Sequence, residues 1–145
     1  MDANTIQSGA SAAFNLANYE AADTGLLEVL NQRKVPLLGN DGQPVTIELY
    51  GPGSEQYVKV QAEIDSASQA RVFANMRGGK AAKDSADQAR ADRIRKLSAC
   101  TKAISPNFPL SPDALYKNSK LGYITNQVAE YLEDWANFPA ACAAS

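Results

Sequence analysis

Histidine is absent from this chain of 145 residues. That removes the commonest general base, the Ser-His and Cys-His nucleophile pairs and the commonest transition-metal ligand. Cysteine is scarce: Cys100 and Cys142 are too few to staple a domain, and two distant cysteines alone do not make a zinc site. No run of about 18 apolar residues exists, so no membrane span is expected. No N-terminal stretch joins a basic segment to an apolar core, as a secretory signal does. The expectation from these absences is a reduced, cytosolic protein.

The length suits one ordinary domain with a single modest core. Hydrophobic residues at 45% and charged residues at 21% argue against a wholly disordered chain. A net charge of −2 gives no global field for nucleic acid or an acidic membrane. The charge is unevenly spread, however. Arg71 to Lys102 holds nine basic against three acidic residues, a balance of +6, and the remainder carries −8. A basic middle of this kind either touches nucleic acid or answers charges elsewhere in the molecule. Phe73 is the only aromatic in it. Stacking on bases wants aromatics interleaved with Lys and Arg, so the solvated-face reading is preferred.

Residues 1–22, with Phe14, Leu16 and Tyr19 but no clean period, read as an arm that orders only by docking elsewhere. Residues 23–138 read as one α+β domain and 139–145 as a flexible tail. Leu26 to Leu30, then Val35-Pro36-Leu37-Leu38, then the Gly39-Asn40-Asp41-Gly42 turn signal, then the alternating Val45 to Tyr50 predict a β-hairpin. Gly51-Pro52-Gly53 stops the strand, and Ser54 is placed to cap a helix running to about Met76, with Tyr57, Val60, Ile64 and Ala67 on one face. Val72, Phe73 and Met76 leave that stripe, and Gly78-Gly79 breaks the chain. A second helix is expected from about Ala81 to Ile104, with the thin stripe Ala86, Ile94, Leu97 and Ile104. Along its outer face, Lys83/Asp87 and Asp92/Lys96 stand at pairing distance. Ser111-Pro112 begins a short helix that ends near Asn118, with Leu110 and Leu115 at staple positions. A last helix over about Ser119 to Phe138 carries Ile124, Val128, Tyr131, Leu132, Trp135 and Phe138 on one side. The expected architecture is α+β and mostly helical: a small antiparallel β-hairpin, a long helical hairpin and two C-terminal helices.

The chemistry-bearing candidates are few. Cys100 sits in a basic helix, which lowers a thiol pKa, although a half-buried core residue is the plainer reading. Glu133 and Asp134 are helix neighbours that point apart and cannot flank a scissile bond. The Gly51-Pro52-Gly53-Ser54 junction lacks a phosphate cradle's donors, since proline removes one N–H and no Gly-Lys-Ser/Thr follows. No catalytic, metal or cofactor-binding residue is nominated, and no enzyme is expected. The wide aromatic stripe of the last helix is either core or a partner-binding ridge.

Two stretches together resemble the tail assembly chaperones of long-tailed bacteriophages. Asp41 to Tyr57 is similar to that family's strand followed by L-Y-G-x-x-S-x-x-Y and a long charged helix. Asn126 to Phe138 looks like its closing helix, Q-V-x-x-[YF]-[LI]-x-[DE]-x-x-N-F. With the Leu110-Ser111-Pro112 helix start between them, the resemblance covers roughly residues 24 to 138. Relatives carry a strand before that helix start where this chain has Cys100 to Pro106, so no strand is taken there. The resemblance implies a chaperone that masks the tape measure protein until tail-tube subunits polymerise around it. It would act in the host cytoplasm and be absent from the mature virion. Tyr131, Trp135 and Phe138 would make the contact. A minor structural protein of the tail or head–tail joint is the first alternative, and a nucleic-acid-binding regulator using the basic helix the second. Homo-oligomerisation is left open.

Overall fold

The computed structural model describes residues 14–78 and 83–140. Residues 1–13 of the expected arm, 141–145 of the tail with Cys142, the Gly79 half of the glycine break and the Lys83 side chain fall outside what is described. The fold is α+β and mostly helical. Strand β1 (Thr24–Glu28) is followed by β2 (Thr46–Tyr50), α1 (Glu55–Gly78), α2 (Lys83–Cys100), β3 (Thr101–Ile104), α3 (Pro112–Lys117) and α4 (Gly122–Leu132). The three strands form one antiparallel sheet in the order β1-β2-β3.

The alternation in β2 does what its period requires. Ile47 and Leu49 are buried, while Thr46, Glu48 and Tyr50 face outward at intermediate exposure. Its hairpin partner is Thr24–Glu28, in the register Thr24↔Tyr50 to Glu28↔Thr46. Val35 to Leu38, expected as the partner, instead makes only single bridges, Leu30↔Pro36 and Leu38↔Pro44. Residues 29–45 therefore form two small turns. In one, Lys34 N–H bonds Asn31 O and Asn31 N–H bonds Val35 O, with Lys34 at φ 65°. In the other, Gly42 N–H bonds Gly39 O and Gly39 N–H bonds Gln43 O, with Gly42 at φ 78°. Both have the pattern of a tight turn closed by a left-handed residue. The Asp-Gly signal is a turn as expected, but only its glycine takes positive φ. At the junction, Val29 N–H bonds Val45 O, Val45 N–H bonds Leu37 O, and Leu37 N–H bonds Val29 O. Each backbone there satisfies the next.

Two side chains from distant parts of the chain hold this junction. The Gln127 amide of α4 brackets Leu30: its Oε1 accepts from Leu30 N–H at 2.8 Å and its Nε2 donates to Leu30 O at 2.7 Å. Asn107 Nδ2 donates to Asp41 Oδ1 and to Gln43 O, both at 2.9 Å, while Asn40 N–H bonds Asn107 O. Those bonds to the Asp41 carboxylate, Asn107 first and then the Gln43 backbone, hold its pKa below 3.8.

Ser54 caps α1 as its position predicts: Tyr57 N–H bonds Ser54 Oγ at 3.2 Å, and that hydroxyl donates to Gly51 O at 2.6 Å. Tyr57, Val60, Ile64 and Ala67 face inward; Val72, Phe73 and Met76 are exposed. The second helix does not reach Ile104. It stops at Cys100, and Thr101–Ile104 crosses to pair with β2. Thr101 makes the change of direction, its hydroxyl donating to Leu97 O at 2.7 Å and sharing a buried 2.6 Å bond with the Tyr116 hydroxyl. Ser111 caps α3 through Ala114 N–H at 3.1 Å, with Pro112 in the first turn, and Leu115 is fully buried.

The last expected helix is three pieces. A 3-10 turn over Ser119–Leu121 leads into α4, and a second covers Trp135–Asn137. Asp134 sits in extended backbone and accepts from Ala136 N–H at 2.9 Å, and the Asn137 amide donates to Tyr131 O at 3.1 Å. These bonds compete with helix propagation and end it at Leu132. The core joins the inner face of β2 to residues from all four helices, among them Val60, Leu97, Leu115, Ile124, Val128 and Leu132. Each such side chain contributes about 1.5–3 kcal/mol when fully buried.

Candidate functional site

One end of the sheet is closed by the C-terminal aromatic segment. The start of β1 and the end of β2 lie side by side there, with Gly51 N–H bonding Asp23 O at 2.7 Å. The C-terminal segment closes over them: Ala22 N–H bonds Phe138 O at 3.1 Å. Phe138 is 1% exposed and fits only because residues 25 and 51 are glycines. A β-carbon at Gly51 would lie 2.6 Å from the Phe138 ring, and one at Gly25 would lie 2.9 Å from it. Tyr131 meets the same ring edge-on, with centroids 5.3 Å apart.

Trp135, three residues earlier, is not part of this plug. It is 58% exposed, with its ring against Gly53, where a β-carbon would sit 3.3 Å away. Nearby in the chain, before β1, Phe14 and Tyr19 stack with centroids 5.5 Å apart and both stay open to solvent, as does Leu16. Asn15 shapes this stretch by capping the 3-10 turn Leu16–Asn18 through Ala17 N–H.

The three nominated residues thus separate. Phe138 is core and offers no surface, so its expected role in contact is corrected. The helix break at Glu133–Asp134 changes the phase of the chain, turning Phe138 inward and Trp135 outward. Tyr131 is half-buried, its hydroxyl donating to Asn137 O at 3.4 Å, and burial raises its pKa. Phe14, Leu16 and Tyr19, apolar residues of the expected arm, are exposed in addition to the expected contact residues. Their shared signal was large apolar side chains in a segment without a burial period.

Six of the nine cations of the basic stretch are answered by charges and carbonyls of the same molecule. Arg71 pairs with Asp92 at 2.9 Å, Arg95 with Glu63 at 2.6 Å, Lys96 with Glu133 at 3.2 Å and Lys102 with Glu48 at 3.8 Å. Arg90 donates to Lys117 O and Arg93 to Asn126 Oδ1. The expected Asp92/Lys96 pair is therefore not made, because each finds a partner across a helix interface instead. Lys96 also lies 4.6 Å from the centre of the Tyr57 ring. Burial presses its pKa down, but Tyr57 and Glu133 outweigh that and hold it above 10.5.

The other candidates resolve into structural roles. Cys100 is fully buried, and burial pushes its thiol up to about 11, with Lys96 opposing weakly, so the expected lowering does not occur. Glu133 pairs with Lys96 and Asp134 caps a turn. Gly51 to Ser54 is a turn plus helix cap. Among the described residues no three His, Cys, Asp or Glu side chains are grouped to hold a metal ion, and no helix is long and apolar enough to cross a membrane. No family model, curated protein or solved structure matches the chain.

Proposed function

We propose that the chain is a tail assembly chaperone of a long-tailed bacteriophage, which binds and solubilises the tape measure protein in the host cytoplasm while the tail is built. The observation that carries this reading is the exposed apolar surface of Trp135, beside Gly53, and of Phe14, Leu16 and Tyr19 in the segment before β1, each more than half exposed. Exposed aromatic rings are suited to masking an apolar helix reversibly, because they supply large contact area with few rotatable bonds to order. The two motifs that resemble the family bound the closed end of the sheet: Leu49 to Tyr57 supplies Gly51 and Gly53, and Gln127 to Phe138 supplies the plug and Trp135. Arg71, Arg95, Lys96 and Lys102 are paired with carboxylates of the same molecule, which supports protein binding over nucleic-acid binding. In this reading the chain is not an enzyme, and displacement by polymerising tail-tube protein needs no nucleotide.

The test is co-expression with the tape measure and tail-tube proteins of the same genome, followed by pulldown. Soluble tape measure should be recovered with the chain, and adding tail-tube protein should release it. Trp135→Ala should cut recovery without moving the thermal midpoint, since the ring is mostly in solvent. Tape measure that stays insoluble, with the chain present in purified particles, would leave the structural-protein alternative in its place.

A further inference from the structure

We propose that the outer edge of β1 takes an extended polypeptide segment as a fourth strand, seated against α4, with a basic–apolar–basic run of residues at its centre. The groove that receives it includes neither Trp135 nor Phe14, and the inference does not rest on the chaperone reading.

β1 is an edge strand, so its backbone groups alternate between the sheet and the open side. Gly51 N–H bonds Asp23 O and Val29 N–H bonds Val45 O, so in the register of β1 and β2 the odd-numbered residues face the sheet. The even-numbered ones, from Ala22 to Leu30, face away from it. The two outermost are engaged by the C-terminal segment: Ala22 N–H bonds Phe138 O, and the Gln127 amide bonds both backbone groups of Leu30. Between these clamps, the N–H and C=O groups of Thr24, Leu26 and Glu28 make no hydrogen bond among the described residues. That window suits a partner strand of about five residues. β1 also lacks the usual protection of an edge. It holds neither Lys nor Pro and its Leu26 is 59% exposed, whereas β3 at the other edge carries the exposed Lys102.

A groove of about 310 Å³ runs beside this window, with Leu27, Glu28 and Leu30 on the strand side and Gln127, Glu130 and Asp134 on the other. Three carboxylates line it and no Lys or Arg does. Glu28, Glu130 and Asp134 form no ion pair among the described residues. That uncompensated charge selects the occupant. In an added strand, the residue opposite Leu26 points to the same face as Leu26 and covers it. Its two neighbours point to the other face, toward the wall that bears Glu130 and Asp134, where Lys or Arg meets opposite charge. A second copy of this chain, pairing edge to edge about a two-fold axis, would instead bring two such acidic walls together. Main-chain pairing supplies the attachment and the alternating side chains supply the selectivity.

The experiment is a titration of the 15N-labelled full chain with the peptide acetyl-Thr-Lys-Val-Lys-Thr-amide, following the amides of Thr24, Leu26, Glu28 and Glu130. Saturable shifts should centre on those residues. The same peptide methylated on the valine nitrogen loses the N–H that faces Leu26 and should bind about tenfold more weakly. A peptide with Glu in place of both lysines should give no saturable shift. Glu130→Lys, at an exposed position, should weaken the lysine peptide about fivefold with the fold retained. Equal binding of the methylated peptide, equal binding of the acidic peptide, or shifts spread over other carboxylates without Leu26 would each overturn the site. So would shifts at Leu26 that grow with protein concentration alone, which would assign the edge to a second copy.

Discussion

Replacing Gly51 with alanine tests how the sheet end is closed. The new methyl carbon would lie 2.6 Å from Phe138 Cδ2, 2.8 Å from Cγ and 3.1 Å from Cε2. Gly51 needs no unusual backbone angle, since Gly42 is the one described glycine with positive φ. The whole cost must therefore come from the ring. Phe138 has no room to retreat, because the Gly25 backbone and the Tyr131 ring hold its other edges. Overpacking of this kind costs about 1–3 kcal/mol. Phe138→Ala alone should cost about 3–5 kcal/mol through lost packing, yet it removes all three ring atoms that collide with the alanine methyl at position 51. In the double variant the alanine at position 51 should then add less than about 1 kcal/mol, a coupling of about 1–2 kcal/mol. Urea unfolding followed by circular dichroism supplies the three values, provided the slope stays constant across the set. Additive costs to within about 0.5 kcal/mol would show that the glycine and the ring do not constrain one another. So would a Gly51→Ala chain as stable as the parent.

Further outcomes follow from other contacts. Gln127→Ala removes both amide bonds to Leu30 and should cost about 1–3 kcal/mol, with faster hydrogen exchange at Leu30 than at Leu49 as the local sign. Asn107→Ala should raise the Asp41 pKa, read by carbon-detected NMR, with the Gln43 N–H bond still holding it below the ordinary value. Asp41 in the parent is depressed, so its stabilising share is present above pH 3.8 and lost as pH falls through its folded value. At alkaline pH the sign reverses. Cys100 at about 11 against 9.0, and Tyr116 at about 12 against 10.0, both kept up chiefly by burial, hold their protons longer in the folded chain. Their stabilisation is complete below pH 9 and should be lost between pH 9 and 12, by about 3 kcal/mol for each group. The urea midpoint should fall across that window, and Tyr116→Phe should flatten the fall; a midpoint constant to pH 12 would refute the burial of both groups.

Local signals in the sequence were legible wherever a single residue type fixes a backbone choice. Ser54 and Ser111-Pro112 start helices because their side chains satisfy orphan N–H groups, and Asp41-Gly42 turns because glycine takes positive φ freely. The alternation of Val45, Ile47 and Leu49 revealed a buried face. β3 stayed hidden because Thr101 to Ile104 is four residues long and continues the sequence pattern of α2. Only pairing with β2, about fifty residues earlier, distinguishes it from one more helical turn. The partner of β2 was mistaken for the same reason, since local spacing favoured Val35 to Leu38 while the register was set by the core. At the candidate site the aromatic residues were visible but their sides were not. A helix drawn through to Phe138 puts Trp135 and Phe138 on one face, whereas the Asp134 cap divides them. The ion pairs of α2 join elements distant in sequence, so spacing along one helix could not reveal them.

The sheet order has a consequence for synthesis on the ribosome. β2 lies at the centre, and its second neighbour arrives only after both long helices have been made. At about 5–20 residues per second, several seconds pass between completion of Tyr50 and emergence of Thr101. Over that interval β1 and β2 are a two-stranded hairpin, which is marginal in water, with one β2 edge unpaired. A nascent chain in that state is most exposed to pairing with its neighbours on the same message. Slowing translation between codons 55 and 100 should therefore lower soluble yield more than slowing it after codon 104.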